Sequence, residues 1–201
     1  MLSLLLAVML SADQIALEND YVRVTRDIAP CASENLPECG DRVIVALGDI
    51  ELRSAGTVRT MKRGDIAVFT AGESHEPPTG GAFFEVDIKP GHPPVRSPAE
   101  IIPPEKNAVR FEGESFFVFE ERLAPGDTRA RHSHSQRVVI QLNKTRLQQL
   151  LDGAAPFLVE TVPERPSFSP PVIHVVKNIG DTPLLGVVIE FKPERTVPTS
   201  K

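Results

Sequence analysis

Two histidines separated by a single residue, His132 and His134, lead into an apolar run over residues 138–142. In an extended chain alternate side chains share one face, so both imidazoles and the Gln136 side chain point the same way. His174 begins a second run, rich in β-branched residues, about forty positions downstream. Imidazole nitrogen is a good ligand for divalent transition metals (Fe, Zn, Mn, Ni or Cu). The pattern therefore predicts a metal site with the ligands His132, His134 and His174, completed by Gln136 or water.

Three arginines flank the paired histidines on the same predicted strand. Strand alternation points Arg129, Arg131 and Arg137 away from the metal face, which favours a solvated or inter-domain role. If the strand begins after Arg131, then Arg129 or Arg131 is instead placed to bind an anionic substrate at the mouth of the site. The sequence contains no serine-nucleophile elbow, phosphate-binding glycine loop or His-Glu-x-x-His motif, so those chemistries have no support.

The composition indicates short strands rather than long helices. The chain has 201 residues, 41% of them hydrophobic, which is enough to bury a core as one large domain or two small ones. Its 19 prolines and 13 glycines, with no tryptophan and one tyrosine, are typical of short segments separated by turns. The formal charge of −5, with the basic residues scattered, argues against a nucleic-acid partner. We therefore predict an all-β protein that does not bind nucleic acid.

The second half of the sequence repeats the first. A shift of 95 positions aligns residues 42–47 with residues 137–142, and a shift of 99 positions aligns His75 with His174. Small insertions in loops account for the change of offset. The repeat therefore predicts two domains of one kind.

The two predicted domains cover residues 17–92 and 107–196. The proline-rich connector between them, residues 93–106, is expected to be stiff and extended. Each half offers about eight short β-rich runs, which predicts a small double-sheet jelly roll. The leucines of residues 144–151 could share a helix face, but the repeat aligns this segment with strand-like residues 49–53. We predict a strand that turns into a loop.

The second half resembles the motifs of the cupin superfamily. Gly126, His132 and His134 match its Gly-x5-His-x-His motif, and His174 with Asn178 matches the His-x3-Asn end of its second motif. The resemblance implies two tandem double-stranded β-helix (jelly-roll) barrels, so that the chain looks like a bicupin. It also implies a bound divalent metal, a small-molecule ligand and, as is common among cupins, a homodimer.

The first half departs from these motifs. Pro37 and Cys39 stand opposite the two paired histidines, and His75 alone is retained, as the vestige of a site. Zinc held by Cys39, Asp41 and His75 is an alternative, because thiolate, carboxylate and imidazole are all zinc ligands. We predict a degenerate N-terminal cupin domain that keeps the barrel and has lost the metal.

The N-terminal segment and the cysteines bear on localisation. Residues 1–12 form an apolar run that ends in small residues, which is typical of a secretory signal and too short to span a bilayer. We expect a periplasmic or secreted protein with no stable membrane span; without a functional signal it is cytoplasmic. Cys31 and Cys39 lie eight positions apart, and in an exported chain such a pair favours a disulfide, whereas a cytosolic pair stays reduced.

Two classes of function fit this sequence. The first is a metal-dependent dioxygenase or isomerase whose small polar substrate chelates the metal through two oxygens, or through an oxygen and a sulfur. The alternative is a non-catalytic cupin that binds a small ligand or serves a structural role, in which the histidines only form hydrogen bonds. Turnover distinguishes the two.

Overall fold

The computed structural model describes residues 14–32, 39–104 and 107–193. The predicted signal, residues 1–12, lies outside the described residues. The chain divides into two compact units, Met1–His92 and Pro93–Lys201, which are taken separately below. The sixteen elements of the described part are all β-strands, which confirms the all-β prediction. Within the same residues there is no helix with the length and hydropathy needed to cross a membrane.

The first unit consists of seven strands: β1 (Ile15–Glu18), β2 (Val22–Arg26), β3 (Asp41–Ala46), β4 (Ile50–Ser54), β5 (Thr57–Met61), β6 (Ile66–Phe69) and β7 (Phe83–Ile88). Five of them form a sheet in the order β1-β2-β7-β3-β6, and β4 pairs with β5. Ala55 and Gly56 join β4 to β5 with positive φ angles of 47° and 75°, as a tight two-residue hairpin turn requires. One buried cluster takes Ile44 from the large sheet and Met61 from the hairpin, so the two sheets share a core.

The second unit consists of nine strands: β8 (Ala108–Glu112), β9 (Phe116–Leu123), β10 (Thr128–His134), β11 (Arg137–Gln141), β12 (Arg146–Leu151), β13 (Phe157–Glu160), β14 (Ser167–Ser169), β15 (Val172–Asn178) and β16 (Leu184–Phe191). They form two antiparallel sheets, ordered β14-β11-β16-β9-β8 and β10-β15-β12-β13. Taken from β8, the larger sheet runs β8-β9-β16-β11-β14. Its five strands follow one another along the chain in the same relative order as those of the sheet β1-β2-β7-β3-β6 in the first unit. Among the described residues, β10 and β15 have no strand counterpart in the first unit.

The connector packs along β10, which is an edge strand of its sheet. Ser133 N–H donates to the Ile102 carbonyl at 2.9 Å, and Ile102 N–H donates to Ser133 Oγ at 2.7 Å. Further along, Arg96 N–H donates to Gln136 Oε1 at 2.7 Å. These bonds satisfy polar groups that an uncovered edge strand would expose.

Candidate metal centre

The three predicted histidines come together on two adjacent strands. In the antiparallel pairing of β10 with β15, His132 lies directly opposite His174, and His134 is two residues further along β10. The side chains are almost fully buried: 1% of His132, 3% of His134 and 6% of His174 is exposed. The pairing of the two strands thus places side by side imidazoles that are about forty residues apart in the sequence.

One ring nitrogen from each histidine lies within 4.8 Å of the others. His132 Nε2 and His174 Nε2 are the closest, at 3.0 Å. Two nitrogens that each bind one ion at about 2.1 Å, at a right angle to one another, are separated by about 3.0 Å. The observed spacing therefore fits a shared ion.

The Nδ1 atom of each ring faces an oxygen acceptor. His132 Nδ1 lies 2.7 Å from the Ala130 carbonyl, and His174 Nδ1 lies 3.2 Å from Gln149 Oε1. His134 Nδ1 lies 2.6 Å from Glu190 Oε2. When Nδ1–H donates to these oxygens, each neutral ring keeps its Nε2 lone pair, which is the tautomer that binds a metal through Nε2. The Nε2 atoms of His132 and His174, which lie within hydrogen-bonding distance of each other, are in this tautomer placed to share a cation.

Burial also keeps these rings in the form that binds metal. It lowers the pKa of His132 to about 4 and the pKa of His134 to about 3, and it lowers the pKa of His174 as well, with the neighbouring imidazoles adding to the effect. All three rings are therefore neutral near pH 7. A neutral imidazole coordinates a metal without first releasing a proton.

Glu190 is the main site residue that sequence reasoning missed. One carboxylate oxygen faces His134 Nδ1, and the other accepts a hydrogen bond from Ser135 N–H at 2.7 Å. Burial raises the pKa of Glu190 to about 7, against the opposing effect of the Ser135 hydrogen bond. The signal was available, because Glu190 is the only charged residue in the apolar strand β16. Gln149, which faces His174, was also missed, because nothing in its neighbourhood marks it.

Gln136, the predicted fourth ligand, is hydrogen-bonded to the connector. It follows β10 and its side chain is 1% exposed, but its amide oxygen accepts the hydrogen bond from Arg96 N–H. A glutamine ligand would offer this same oxygen to the metal. That oxygen is thus already engaged by the connector, and the ligand cluster formed by the described histidines, cysteines and carboxylates is His132, His134 and His174.

Arg129 and Arg131 do not lie on one face of β10, as the predicted strand alternation would place them. The pairing of β10 with β15 shifts register between Arg129 and His132, as at a β-bulge, so the two arginines do not share one solvated face. Arg129 is 5% exposed and pairs with Glu121 at 3.2 Å. Arg131 is exposed and pairs with Asp152 at 2.6 Å and with Glu100 at 3.0 Å.

Asn178 completes the second motif but does not face the cluster. Its Nδ2 donates to the carbonyls of Leu123 and Thr182, and its Oδ1 accepts from Thr145 Oγ1 and Gly180 N–H. All its polar capacity is used in joining three loops. Asn178 thus stabilises the strand end that carries His174.

In the first unit His75 is buried and lies against Glu85, with 3.3 Å between Nε2 and Oε2. Its ring stacks on Phe69 at a centroid distance of 4.4 Å, as a core side chain does. Cys31 and Cys39 form a disulfide. The alternative zinc site of Cys39, Asp41 and His75 is therefore wrong for this state, because a disulfide sulfur is not a thiolate ligand.

Comparison with solved structures identifies the fold as that of the cupins. A cupin 2 conserved barrel domain protein from Leptotrichia buccalis is 16% identical, with 88% of this chain and 86% of that one aligned and a TM-score of 0.53. AerE from Microcystis aeruginosa is 18% identical over 85% of this chain and 87% of its own, also with a TM-score of 0.53. Oxalate decarboxylase from Bacillus subtilis is 13% identical over 86% and 68%, with a TM-score of 0.55.

At these identities the likeness shows the fold alone. No protein-family model matches the sequence, and no curated protein matches it. The chain therefore has the all-β cupin fold, with three histidines grouped where they could bind a divalent metal. Its chemistry must be argued from its own residues.

Proposed function

We propose that this protein is a bicupin whose C-terminal domain, residues 107–196, binds one divalent transition metal through Nε2 of His132, His134 and His174. The observation that carries the proposal is the arrangement of the rings. Each Nδ1 faces an oxygen, the Nε2 atoms of His132 and His174 lie 3.0 Å apart, and one ring nitrogen from each of the three histidines lies within 4.8 Å of the others in a buried space. A divalent cation among these nitrogens would be bound by three neutral imidazoles, which are good ligands for transition metals.

The first half, residues 17–92, is proposed to be a degenerate copy of the same domain. The shared strand order of the two five-stranded sheets supports a duplication. So does an equivalent hydrogen bond: Gly40 N–H donates to Asp87 at 3.0 Å as Ser135 N–H donates to Glu190 at 2.7 Å, at positions that the sequence repeat aligns. The first copy lacks the paired histidines, so we assign it a structural role.

The three-histidine site favours a metal-dependent oxygenase or isomerase as the enzyme class. When bound, the metal would supply Lewis-acid or redox chemistry at the positions that the histidines leave open. The chain itself supplies neutral ligands and a carboxyl group, Glu190, that fixes the His134 tautomer. A substrate that chelates through two oxygens, or through an oxygen and a sulfur, matches open positions on one face. The Bacillus subtilis oxalate decarboxylase, which has Mn(II) centres, shows that this fold can hold such a metal.

One observation favours the alternative, a cupin that binds a small ligand without turnover. The three histidines are between 1% and 6% exposed, so the cluster is closed to solvent in this conformation. A closed site suits a structural metal or a buried ligand. Dioxygen consumption or isomerisation by the metal-loaded protein, tested with small chelating acids and thiols, separates the two functions.

Export to the periplasm or the extracellular space remains our proposal from residues 1–12. The Cys31–Cys39 disulfide is in keeping with an oxidising compartment. Fractionation of cells that express the full chain, with mass measurement of the mature N-terminus, tests it.

The metal proposal is tested by reconstitution of the untagged protein with Fe(II), Mn(II) or Zn(II), followed by elemental analysis. We expect about one ion per chain in the parent protein and little in a His132→Ala/His134→Ala double variant. His92→Ala, which removes a histidine outside the cluster, is the matched control and should retain the ion. If the parent protein holds no metal after reconstitution, or the double variant holds as much, the proposed function is overturned.

A further inference from the structure

A second cluster of metal-ligating groups lies in the first unit. The sulfurs of Cys31 and Cys39 and a carboxylate oxygen of Asp87 lie within 4.8 Å of one another. Cys31 is 1% exposed and Asp87 is 3% exposed. The two cysteines are joined, with their Cα atoms 5.8 Å apart, so the sulfurs are not ligands in this state.

Asp87 is a buried carboxyl group with no basic side chain from the described part of the chain in direct contact, although Arg23 and Arg42 act on it from a distance. Among the described residues it accepts one hydrogen bond, from Gly40 N–H at 3.0 Å, and it forms no salt bridge. Its counterpart in the second unit, Glu190, faces an imidazole at 2.6 Å. In the first unit Cys39 stands where that imidazole would be. A buried carboxylate beside two sulfurs is therefore open to a cation.

The backbone around Cys31 is held by bonds that do not depend on the disulfide. Cys31 N–H donates to Glu85 Oε1 at 3.1 Å. The Cys31 carbonyl accepts from Arg42 Nη1 at 2.7 Å, and Arg42 is itself buried and also bonded to the Thr70 carbonyl. We therefore expect the Cys31 sulfur to stay near Asp87 when the disulfide opens. The Arg42 guanidinium also offsets part of the negative charge that two thiolates would add.

We propose that reduction of the Cys31–Cys39 disulfide converts this cluster into a zinc site with Cys31 Sγ, Cys39 Sγ and an Asp87 carboxylate oxygen as ligands. A dithiol reductant supplies two electrons and two protons, breaks the S–S bond to give two thiols, and becomes a disulfide itself. Zinc then binds the two thiolates as their protons leave to solvent, and water fills the fourth position. The same two cysteines would be joined by a disulfide or by a metal, according to redox conditions.

The test uses the full chain with His132→Ala/His134→Ala, so that metal at the C-terminal cluster does not contribute. The protein is treated with a water-soluble phosphine, which reduces disulfides and competes weakly for zinc, and is then titrated with Zn(II) or Co(II). We expect about one ion per chain after reduction and none before it. Co(II) should add the near-ultraviolet absorption of thiolate ligation. Because the background lacks the C-terminal ligands, this result does not depend on the proposed function.

Substitutions at two of the three proposed ligands test the zinc site. Cys31→Ser should abolish binding, and Asp87→Asn, which keeps the acceptor for Gly40 N–H, should weaken zinc binding by about tenfold or more. Asp41→Asn, a carboxylate close to Cys39 in sequence but bonded to Ala71 N–H, is the control and should bind as the parent does. The proposal is overturned if the reduced protein takes up no zinc or if Asp87→Asn binds zinc normally. Loss of the β-sheet circular dichroism signal on reduction, before zinc is added, also overturns it.

Discussion

Three different acceptors fix the imidazoles of the metal cluster: a backbone carbonyl, an amide oxygen and a carboxylate. The carboxylate of Glu190 is the strongest of these partners, because it can hold a charge and is buried beside the ring. It also accepts from Ser135 N–H, so it ties the ring to the chain that follows β10. In the proposed metal site Glu190 would orient His134 rather than bind the metal.

Replacing Glu190 with glutamine is expected to weaken metal binding by about 10–100-fold, the usual cost of losing a partner that orients a ligand. The variant keeps the acceptor for Ser135 N–H and removes the charge that favours Nδ1–H on His134. Competition with a chelator of known affinity measures the effect. Glu112→Gln, which removes an exposed carboxylate paired with Lys192, should bind as the parent does. Equal affinities in both variants would show that Glu190 does not orient His134.

At this scale the sequence predicted the histidines better than their surroundings. Alternation places His132 and His134 on one face, and the repeat pointed to His174, because ligand type and spacing are local properties. Gln136 was assigned to the metal from the same alternation, whereas its oxygen is bonded to the connector. That bond joins residues 40 positions apart, and no local pattern encodes it.

At the scale of elements, hydrogen bonds hold the connector against β10. Prolines predict that the connector is extended, but they do not predict which strand it follows. Its position is set by polar atoms of β10, including the paired bonds between Ser133 and Ile102.

Similarly, residues 144–151 were predicted as strand turning into loop, and β12 covers Arg146–Leu151 because β13 and β15 pair with it on both sides. Leucine spacing alone does not reveal these neighbours.

Ser133→Ala is expected to destabilise the protein by about 1–3 kcal/mol, because it leaves Ile102 N–H without its side-chain acceptor. Ser97→Ala, an exposed serine in the same connector, should change stability little. Limited proteolysis should cut the connector faster in Ser133→Ala than in Ser97→Ala. Equal cutting rates and equal unfolding midpoints would mean that this bond does not hold the connector.

At the scale of the whole molecule, two units with the same order in their larger sheets differ in their ligand sets. The first unit contains a disulfide and a buried His75–Glu85 pair. The second unit contains the three buried histidines and a carboxyl group beside one of them. The sequence repeat predicts two copies of one domain, and the shared strand order of the larger sheets is in keeping with that prediction. Which unit could hold metal followed from the histidines that each half retains.

His75→Ala is expected to lower stability by about 1–3 kcal/mol, because it opens a cavity beside Phe69 and removes the imidazole that lies against Glu85 Oε2 in the core. Metal content should not change, since His75 belongs to the first unit and not to the three-histidine cluster. Thermal unfolding and elemental analysis of one preparation measure both effects. Loss of the metal would show that His75 contributes to the site.

The most direct test of the three-histidine site is anomalous diffraction from crystals of the metal-loaded protein, measured at the absorption edge of the bound metal. We predict one anomalous peak in the second unit, about 2.0–2.2 Å from Nε2 of His132, His134 and His174. A chain that holds one ion per molecule and shows no peak at these nitrogens would contradict the account, because the metal would then be bound elsewhere.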